Sequence, residues 1–203
     1  MIVSVLHQKG GTGKSTLAVA LAIFLASRGE TVALLDADPQ GTVTQWGRRY
    51  AASFKVEVKP QRMRGIPEAV EVLRNIYDHI IIDTPPSVNA DTEPAIIAAD
   101  VLLSPMRPAL SDLWALDRLA AMVLLAECEK KPPHVLVLNM CMSPDEREDM
   151  AAKLRGRPIK LSTVQIPLSP AWTATFEGTP PDGEMLKILS DLWQELEVAI
   201  GIA

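Results

Sequence analysis

Ten residues near the start of the chain, HQKGGTGKST at 7–16, bring glycines, lysines and hydroxyls together at close spacing. A phosphate cradle needs backbone N–H groups that converge on anionic oxygens, and glycines permit the close approach and positive φ angles involved. Lys14 would supply a charge for the β and γ phosphates, and Ser15 a hydroxyl for Mg²⁺. The usual pattern, G-x-x-x-x-G-K-[ST], has a glycine where this chain has Gln8, and Lys9 adds a second lysine. The segment therefore predicts a phosphate-binding loop that carries an additional charge.

Acidic residues end two later apolar runs, in DADPQG at 36–41 and in IIIDTPP at 80–86. A carboxylate near a γ-phosphate can orient the attacking water, and we assign this role to Asp38. Asp83, at the end of a buried strand, is expected to face the metal, commonly through water. Asp36 is expected to support Ser15 and the metal indirectly, without being a direct metal ligand itself. A helix cap or turn acid is the competing interpretation of Asp36.

The elements that must position these residues alternate between short β-branched runs and longer helical patterns. Strands are predicted at 1–6, 31–36, 56–58, 79–83, 99–106, 134–140 and near 162–166, and helices at 14–28, 46–52, 67–76, 112–129 and 183–200. Fully apolar strands separated by helices indicate an α/β fold in three layers, a mostly parallel central sheet with helices on both faces. Ligands bind at the carboxyl ends of such strands, so the loop and the acids are expected at one edge.

Length and composition favour one domain spanning residues 1–203, with 48% apolar residues available for a core. The net charge of −5 argues against a uniformly basic nucleic-acid-binding protein, although a local basic patch is compatible with it. The apolar runs are too short or too interrupted to span a bilayer, and the first residues read as a strand rather than a signal peptide. A cytoplasmic protein is expected. Cys128 and Cys141 have no metal-type spacing, which favours two small buried residues.

The segment KGGTGKST at 9–16 resembles the deviant Walker A motif of the ParA/MinD ATPase superfamily, K-G-G-x-G-K-[ST], which does not require a glycine at the position of Gln8. DADPQG is similar to the family's D-x-D-P-Q segment. The resemblance implies the P-loop NTPase fold, with ATP and Mg²⁺ as cofactors. It also implies that Lys9 crosses a dimer interface to the partner's ATP phosphates, and that Lys9, Lys14 and Asp38 are the catalytic residues. The implied phosphate-loop contacts are Gly10, Gly11, Thr12, Gly13, Lys14, Ser15 and Thr16.

Two weaker assignments concern the adenine base. Asn139 follows VLVL, where the family usually has an adenine contact, and Pro167 belongs to a short I-P segment that resembles the one flanking the base. Both are equally compatible with plain strand-end residues.

Among the branches of this family, the small ParA type fits best. A protein like the nitrogenase iron protein would need cysteines that bridge two subunits through a metal cluster, and neither cysteine here is placed to do so. The amphipathic C-terminal segment is acidic, which disfavours a MinD-like membrane helix. No N-terminal extension is expected to hold a helix-turn-helix domain. The resemblance therefore implies an ATP-dependent dimerising switch for DNA partition or cargo positioning. Its partners would be a second copy, a ParB-like or cargo adaptor protein that stimulates hydrolysis, and non-specific DNA, with association to the nucleoid in the ATP state.

Non-specific DNA binding requires aligned lysines and arginines. The candidates are Arg155, Arg157 and Lys160, with the pairs at 130–131 and 48–49 as alternatives, and a solvated surface is the plainer interpretation of each. The dimer interface is expected near Lys9, the loop after Asp83 and residues 105–114.

The four tryptophans divide into two groups. Trp46, Trp172 and Trp193 are predicted to lie in the core, and Trp114 is predicted to be either core or interface.

Two other classes of function remain open. A P-loop ligase of the dethiobiotin-synthetase type would use the same loop but would need a polar substrate pocket. A non-catalytic module with a relic loop is disfavoured by the intact Lys14, Ser15, Asp38 and Asp83.

Overall fold

A seven-stranded sheet forms the centre of the protein in the computed structural model, which describes residues 1–86, 92–126 and 131–202. The strands are β1 (Ile2–Val5), β2 (Val32–Asp36), β3 (Glu57–Pro60), β4 (His79–Asp83), β5 (Val101–Met106), β6 (His134–Cys141) and β7 (Lys160–Pro167). Their order is β3-β2-β4-β1-β5-β6-β7, and every pairing is parallel. All carboxyl ends therefore lie at one edge, as predicted.

Helices cover both faces of this sheet. They are α1 (Lys14–Ser27), α2 (Thr42–Trp46), α3 (Ala52–Phe54), α4 (Ile66–Leu73), α5 (Glu93–Ile97), α6 (Leu110–Leu125), α7 (Glu146–Leu154), α8 (Pro170–Phe176) and α9 (Gly183–Ile200). A π-helical turn at Gly47–Ala51 joins α2 to α3, and a 3₁₀ turn at Met63–Gly65 precedes α4.

The strand side chains alternate between two apolar layers, as the twofold period of a strand requires. Val3 and Val5 pack in a cluster with α1, α8 and α9, whereas Ile2 packs on the opposite face with α4 and α5. Helices α6 and α7 cover the rest of that second face. The predicted three-layer α/β architecture is confirmed, and the sheet is wholly rather than mostly parallel.

Several element boundaries differ from the sequence-based expectations. The patterns do not predict α5, α7 or α8, which are short, and α7 buries only Met150 and Leu154. Strand β7 begins at Lys160 rather than 162, because its first residues are partly exposed at the sheet edge and lack a continuous apolar run.

The described part of α6 begins at Leu110 and ends at Leu125, whereas the predicted helix covers 112–129. Residues 127–130 of that prediction, including Cys128, lie outside the described residues. Cys141 is buried and free, as expected.

The C-terminal helix α9 buries one side against the sheet through Leu189, Leu192, Trp193 and Leu196. Among the described residues, no helix combines the length and the apolar character needed to cross a membrane.

Candidate nucleotide-binding site

The predicted phosphate loop runs from the end of β1 into α1. Gly13 is the N-cap of α1 and has φ 89°, a conformation that favours glycine. A Cβ atom at this position would also overlap the side-chain amide of Asn139, so the backbone approaches β6 more closely than any side chain would allow. The loop therefore presents backbone N–H groups at the N-terminus of a fourteen-residue helix, which attracts anions.

Lys14 lies inside this loop and is buried. Its Nζ donates a hydrogen bond of 3.3 Å to the backbone carbonyl of Lys9. Burial holds the pKa of Lys14 below its ordinary value, and the nearby carboxylates of Asp83 and Asp38 only partly offset this effect. Lys14 forms no ion pair within 4.0 Å among the described residues, and a phosphate would supply a directly bound anionic partner.

Ser15 and Asp83 meet directly beside Lys14. The hydroxyl of Ser15 donates to Oδ2 of Asp83 at 2.7 Å, while the buried Oδ1 has no hydrogen-bond partner among the described residues. Burial raises the pKa of Asp83 to about 7. Mg²⁺ prefers oxygen ligands such as hydroxyl and carboxylate groups, together with phosphate oxygens from a nucleotide. The Ser15 hydroxyl and the free Oδ1 of Asp83 among the described residues therefore fit the predicted Mg²⁺ position.

Asp36 makes no hydrogen bond to Ser15 among the described residues, contrary to its expected support of that residue, and its role toward the metal stays a prediction. Its Oδ2 accepts hydrogen bonds from the backbone N and the hydroxyl of Thr44, at 2.6 and 2.7 Å, and Oδ1 accepts from the backbone N of Asp38 at 3.2 Å. Ser15 pairs with Asp83 instead. Asp36 therefore anchors the loop after β2 to α2, which is the turn-acid interpretation, because its oxygens face the nearer backbone donors of that loop.

Asp38 lies in the middle of the anchored loop and is half-buried. Its Oδ1 accepts from the backbone N of Gln40 at 2.9 Å, and its carbonyl accepts from Gly41. A cavity of about 900 Å³ opens beside it. The cavity is lined by Asp36, Ala37, Asp38, Pro39, Gly41, Thr44, Pro60, Gln61, Arg62, Met63, Arg64, Pro85 and Thr92.

Lys9 has side-chain partners outside the phosphate loop, whereas Lys14 binds a carbonyl within it. Its Nζ forms an ion pair with Asp112, in the first turn of α6, and donates to the hydroxyl of Ser111 at 2.6 Å. Arg107 binds the same Asp112 carboxylate through two nitrogens, at 3.0 and 3.1 Å. The backbone N of Lys9 donates to Nδ1 of His7, and burial lowers the pKa of that imidazole to about 4, which keeps it neutral.

The predicted base-binding residues meet at a small cavity of about 90 Å³ beside the phosphate loop. Asn139 is buried and donates from Nδ2 to the carbonyl of Thr12 at 2.7 Å. Pro167 lines the same cavity, together with Gly13 and Thr16. The strand-end residues of β6 and β7 are thus brought next to the phosphate loop.

The predicted DNA-binding residues lie elsewhere. Arg155 follows α7 and Lys160 begins β7, so the cluster lies at the sheet edge opposite the phosphate loop. Arg155 and Lys160 are exposed. Arg157 instead pairs with Asp117 of α6, at 2.6 and 3.0 Å, which reduces the charge it presents to solvent.

Comparison with known proteins places this site in a family. Residues 3–181 match the family model described as the CobQ/CobB/MinD/ParA nucleotide binding domain. The chain belongs to this family. The match includes the phosphate loop and the strands that end at Asp36, Asp83 and Asn139, so the resemblance seen in KGGTGKST is confirmed.

Two relatives resemble large parts of this chain. Protein ParA from Rhizobium radiobacter is 30% identical over 192 residues, covering 87% of this chain and 82% of that protein. Maintenance of carboxysome distribution protein A from Gloeobacter kilaueensis is 40% identical over 118 residues, covering 57% of this chain. The match spans 53% of that relative's own length.

A solved structure supports the fold. The structure of pNOB8 ParA bound to nonspecific DNA superposes with a TM-score of 0.73 at 16% identity, covering 97% of this chain and 98% of that one. The shared architecture is the parallel sheet with helices on both faces.

The side chains that contact Lys9 carry no recognisable motif in the sequence. Asp112 lies 103 residues away along the chain and reads as an ordinary acid in the first turn of a helix. Arg107 and Ser111 fall in the expected interface segment but carry no motif of their own. Thr44, the partner of Asp36, likewise gives no signal in the sequence.

Proposed function

We propose that the chain is a Mg²⁺-dependent ATPase that dimerises with ATP and acts as a switch in DNA partition or cargo positioning. The observation that carries this proposal is that one loop holds two lysines in different surroundings. Lys14 is buried against the acids of the site, whereas Lys9 is one-third exposed and extends towards α6. A lysine directed out of its own site is suited to a phosphate bound by a second subunit.

Each residue has a distinct role in this proposal. Lys14 and the loop N–H groups hold the β and γ phosphates, and the pair formed by Ser15 and Asp83 holds Mg²⁺. Asp38 orients the attacking water, since it is only half-buried and borders an open cavity. When bound, Mg²⁺ neutralises charge that develops on the phosphates.

Lys9 from the partner subunit would add positive charge on the other side of the phosphates. Phosphoryl transfer depends largely on positioning and charge stabilisation, so this arrangement makes hydrolysis depend on dimerisation.

The proposed binding surface for the ATP-bound dimer is non-specific DNA, which would place the dimer on the nucleoid. The relatives named above support this proposal, together with the exposed side chains of Arg155 and Lys160. Arg157 already pairs with Asp117, so a DNA phosphate would have to compete with that carboxylate. A dimer would present the cluster twice. A ParB-like or cargo adaptor protein is the proposed partner that stimulates hydrolysis.

The test is co-sedimentation of the Asp38→Ala protein with non-specific DNA, in ATP or ADP, at two salt concentrations. Asp38→Ala is chosen to slow hydrolysis and retain the ATP state. We expect binding with ATP only, weaker at the higher salt, and weaker again when Arg155 and Lys160 are replaced by alanine. Binding that ignores the nucleotide, or ATP dimers that do not bind DNA, would contradict the DNA half of the proposal.

The ligase of the dethiobiotin-synthetase type stays as a second candidate because of the cavity beside Asp38. With a volume of about 900 Å³ and polar residues such as Gln61 and Arg62, it could accept a small molecule. A ligase would release phosphate only when its substrate is present. Phosphate release by the purified chain with Mg²⁺ and ATP alone, absent in Lys14→Ala, would count against this candidate.

A further inference from the structure

Asp112 lies outside the phosphate loop, and its buried carboxylate binds two cations at once. Its side chain has no solvent exposure, while those of Lys9 and Arg107 are 33% and 36% exposed. Burial alone would raise the pKa of Asp112, but the hydrogen bonds from Arg107 and Lys9 outweigh it and hold the pKa below its usual value. The residue is therefore ionised and compensated by both cations.

The two cations do not hold Asp112 in the same way. Arg107 uses Nε and one terminal nitrogen to reach Oδ2 and Oδ1 at 3.0 and 3.1 Å, a two-point contact that satisfies both oxygens. Lys9 contacts Oδ1 alone, on a flexible stem. Removing the only partner of a buried carboxylate strongly destabilises the folded protein. Because Arg107 already binds both oxygens of Asp112, Lys9 can move away while the carboxylate keeps a cationic partner.

The backbone of Lys9 is also held by groups that a nucleotide would engage. Its carbonyl accepts from Nζ of Lys14 at 3.3 Å and from the hydroxyl of Thr12 at 3.4 Å. Phosphate oxygens are stronger acceptors for an ammonium than a neutral carbonyl. Nucleotide binding would therefore draw Lys14 from the Lys9 carbonyl and loosen Lys9, while its side chain stayed bound to Asp112.

We propose that Asp112 and Arg107 are positioning residues for Lys9. Asp112 holds the Lys9 ammonium in the nucleotide-free chain, and Arg107 takes over the Asp112 charge when Lys9 moves to a phosphate bound by a second copy. This inference rests on the proposed function and adds a requirement to it: the interface lysine is exchanged between two anions rather than simply exposed.

Dimerisation tests the exchange, measured by sedimentation velocity with Mg²⁺ and ATP. Arg107→Gln leaves Lys9 as the sole counter-ion of Asp112 among the described residues, so the dimer should weaken by about tenfold or more. Adding Asp112→Asn removes the carboxylate, and the double variant should dimerise like the wild type. Monomer affinity for a fluorescent ATP analogue should not change, because none of these side chains is assigned to the nucleotide. A purely structural role for Arg107 predicts no rescue by the second substitution.

Asp117→Asn is the matched control, since Asp117 lies on the same helix and pairs with Arg157 through two contacts, but is exposed. It should leave dimerisation unchanged. Arg107→Lys keeps a cation beside Asp112 and should retain most of the dimer, which covers the case in which Arg107→Gln fails to fold.

Lysine acylation of the nucleotide-free protein, read by mass spectrometry, tests the starting contact directly. Lys9 should be labelled more slowly than the exposed Lys187 in the wild type, and several-fold faster in Asp112→Asn but not in Asp117→Asn. Equal Lys9 labelling in wild type and Asp112→Asn would overturn the inference.

The two levels of the proposal fail differently. If the wild type stays monomeric with ATP, the proposed function fails. If it dimerises and Arg107→Gln dimerises equally well, or the double variant is not restored, the function stands and the exchange is overturned.

Discussion

At the scale of single residues, the site holds buried charges whose hydrogen-bonding capacity is only partly used by the described residues. Asp83 is completely buried, and among the described residues only one of its two carboxylate oxygens has a hydrogen-bond partner. Lys14 is buried near the carboxylates of Asp83 and Asp38 and donates a hydrogen bond to the backbone carbonyl of Lys9. Such unmet polar groups cost stability in the empty protein, and a ligand that supplies the partners recovers it.

Asp83→Asn is therefore expected to stabilise the nucleotide-free protein in a pH-dependent way. The folded pKa of about 7 lies above the ordinary value of 3.8, so the folded state binds more protons than the unfolded chain between these values. Wild-type stability then falls as the pH rises from 4 to 7. The Tm advantage of Asp83→Asn should be smallest near pH 4, grow up to about pH 7 and then level off, with about 2–4 °C for each kcal/mol relieved.

Thermal denaturation in metal-free buffer checks this prediction, with addition of Mg²⁺ and ATP as the control. The added ligands should stabilise the wild type and not Asp83→Asn. A Tm difference that does not vary with pH would mean that Asp83 does not titrate in this range.

At the scale of elements, the end of β6 and the start of α1 are fitted together without room for a side chain. Asn139 binds Thr12 through its amide, and the missing Cβ of Gly13 makes the contact possible. The phosphate loop is thus held in shape by the carboxyl end of β6.

Gly13→Ala should damage nucleotide binding more than its backbone cost explains. Gly29 is the matched control, because its φ of 88° is nearly the same and a methyl group there meets no described atom within 4 Å. Both substitutions carry the left-handed backbone penalty of about 1–2 kcal/mol. Only Gly13→Ala displaces Asn139, so only it should lose most of its affinity for ATP, measured by titration calorimetry. Equal losses in the two variants would contradict the steric argument.

At the scale of the whole molecule, the exposed Trp114 lies near Lys9, where we propose that a second copy docks. Trp114 is 66% exposed, whereas Trp46, Trp172 and Trp193 are in the core, which confirms the prediction for those three. Trp114 lies two residues after Asp112, at the same end of α6 as the contact with Lys9. The exposed Leu125 lies at the other end of that helix.

Trp114→Ala is expected to weaken the ATP dimer by about tenfold, since interface tryptophans commonly contribute more than 1 kcal/mol. Leu125→Ala removes a similarly exposed apolar side chain away from the nucleotide edge and should have no effect. Tryptophan emission should shift to shorter wavelength when ATP is added, and Trp114→Phe should abolish the shift. A shift that persists in Trp114→Phe would place the change elsewhere.

The sequence predicts the parts of this molecule that depend on local patterns. Apolar runs ending in acid locate β2 and β4. The expectation that the phosphate loop and the acid that ends β4 lie at one edge of the sheet agrees with the hydrogen bond between Ser15 and Asp83. Helix α7 escapes prediction because EREDMAAKL carries almost no apolar periodicity.

Contacts between residues that are distant in the sequence are also not predicted from local patterns. The pairing of Lys9 with Asp112 joins side chains 103 residues apart, and only the folded order of β1 and β5 brings them together. The same is true of Arg157, whose partner Asp117 lies 40 residues earlier and changes the interpretation of the basic cluster.

The measurement that tests the central claim most directly is sedimentation velocity of the Asp38→Ala protein in Mg²⁺ with ATP or ADP, beside the same protein carrying Lys9→Ala. We predict a dimer with ATP and a monomer with ADP. Lys9→Ala should remain monomeric in both while still binding a fluorescent ATP analogue, because Lys14 and the loop are intact. A protein that stays monomeric with ATP, or a Lys9→Ala variant that dimerises as well as its parent, would contradict an ATP switch built on Lys9.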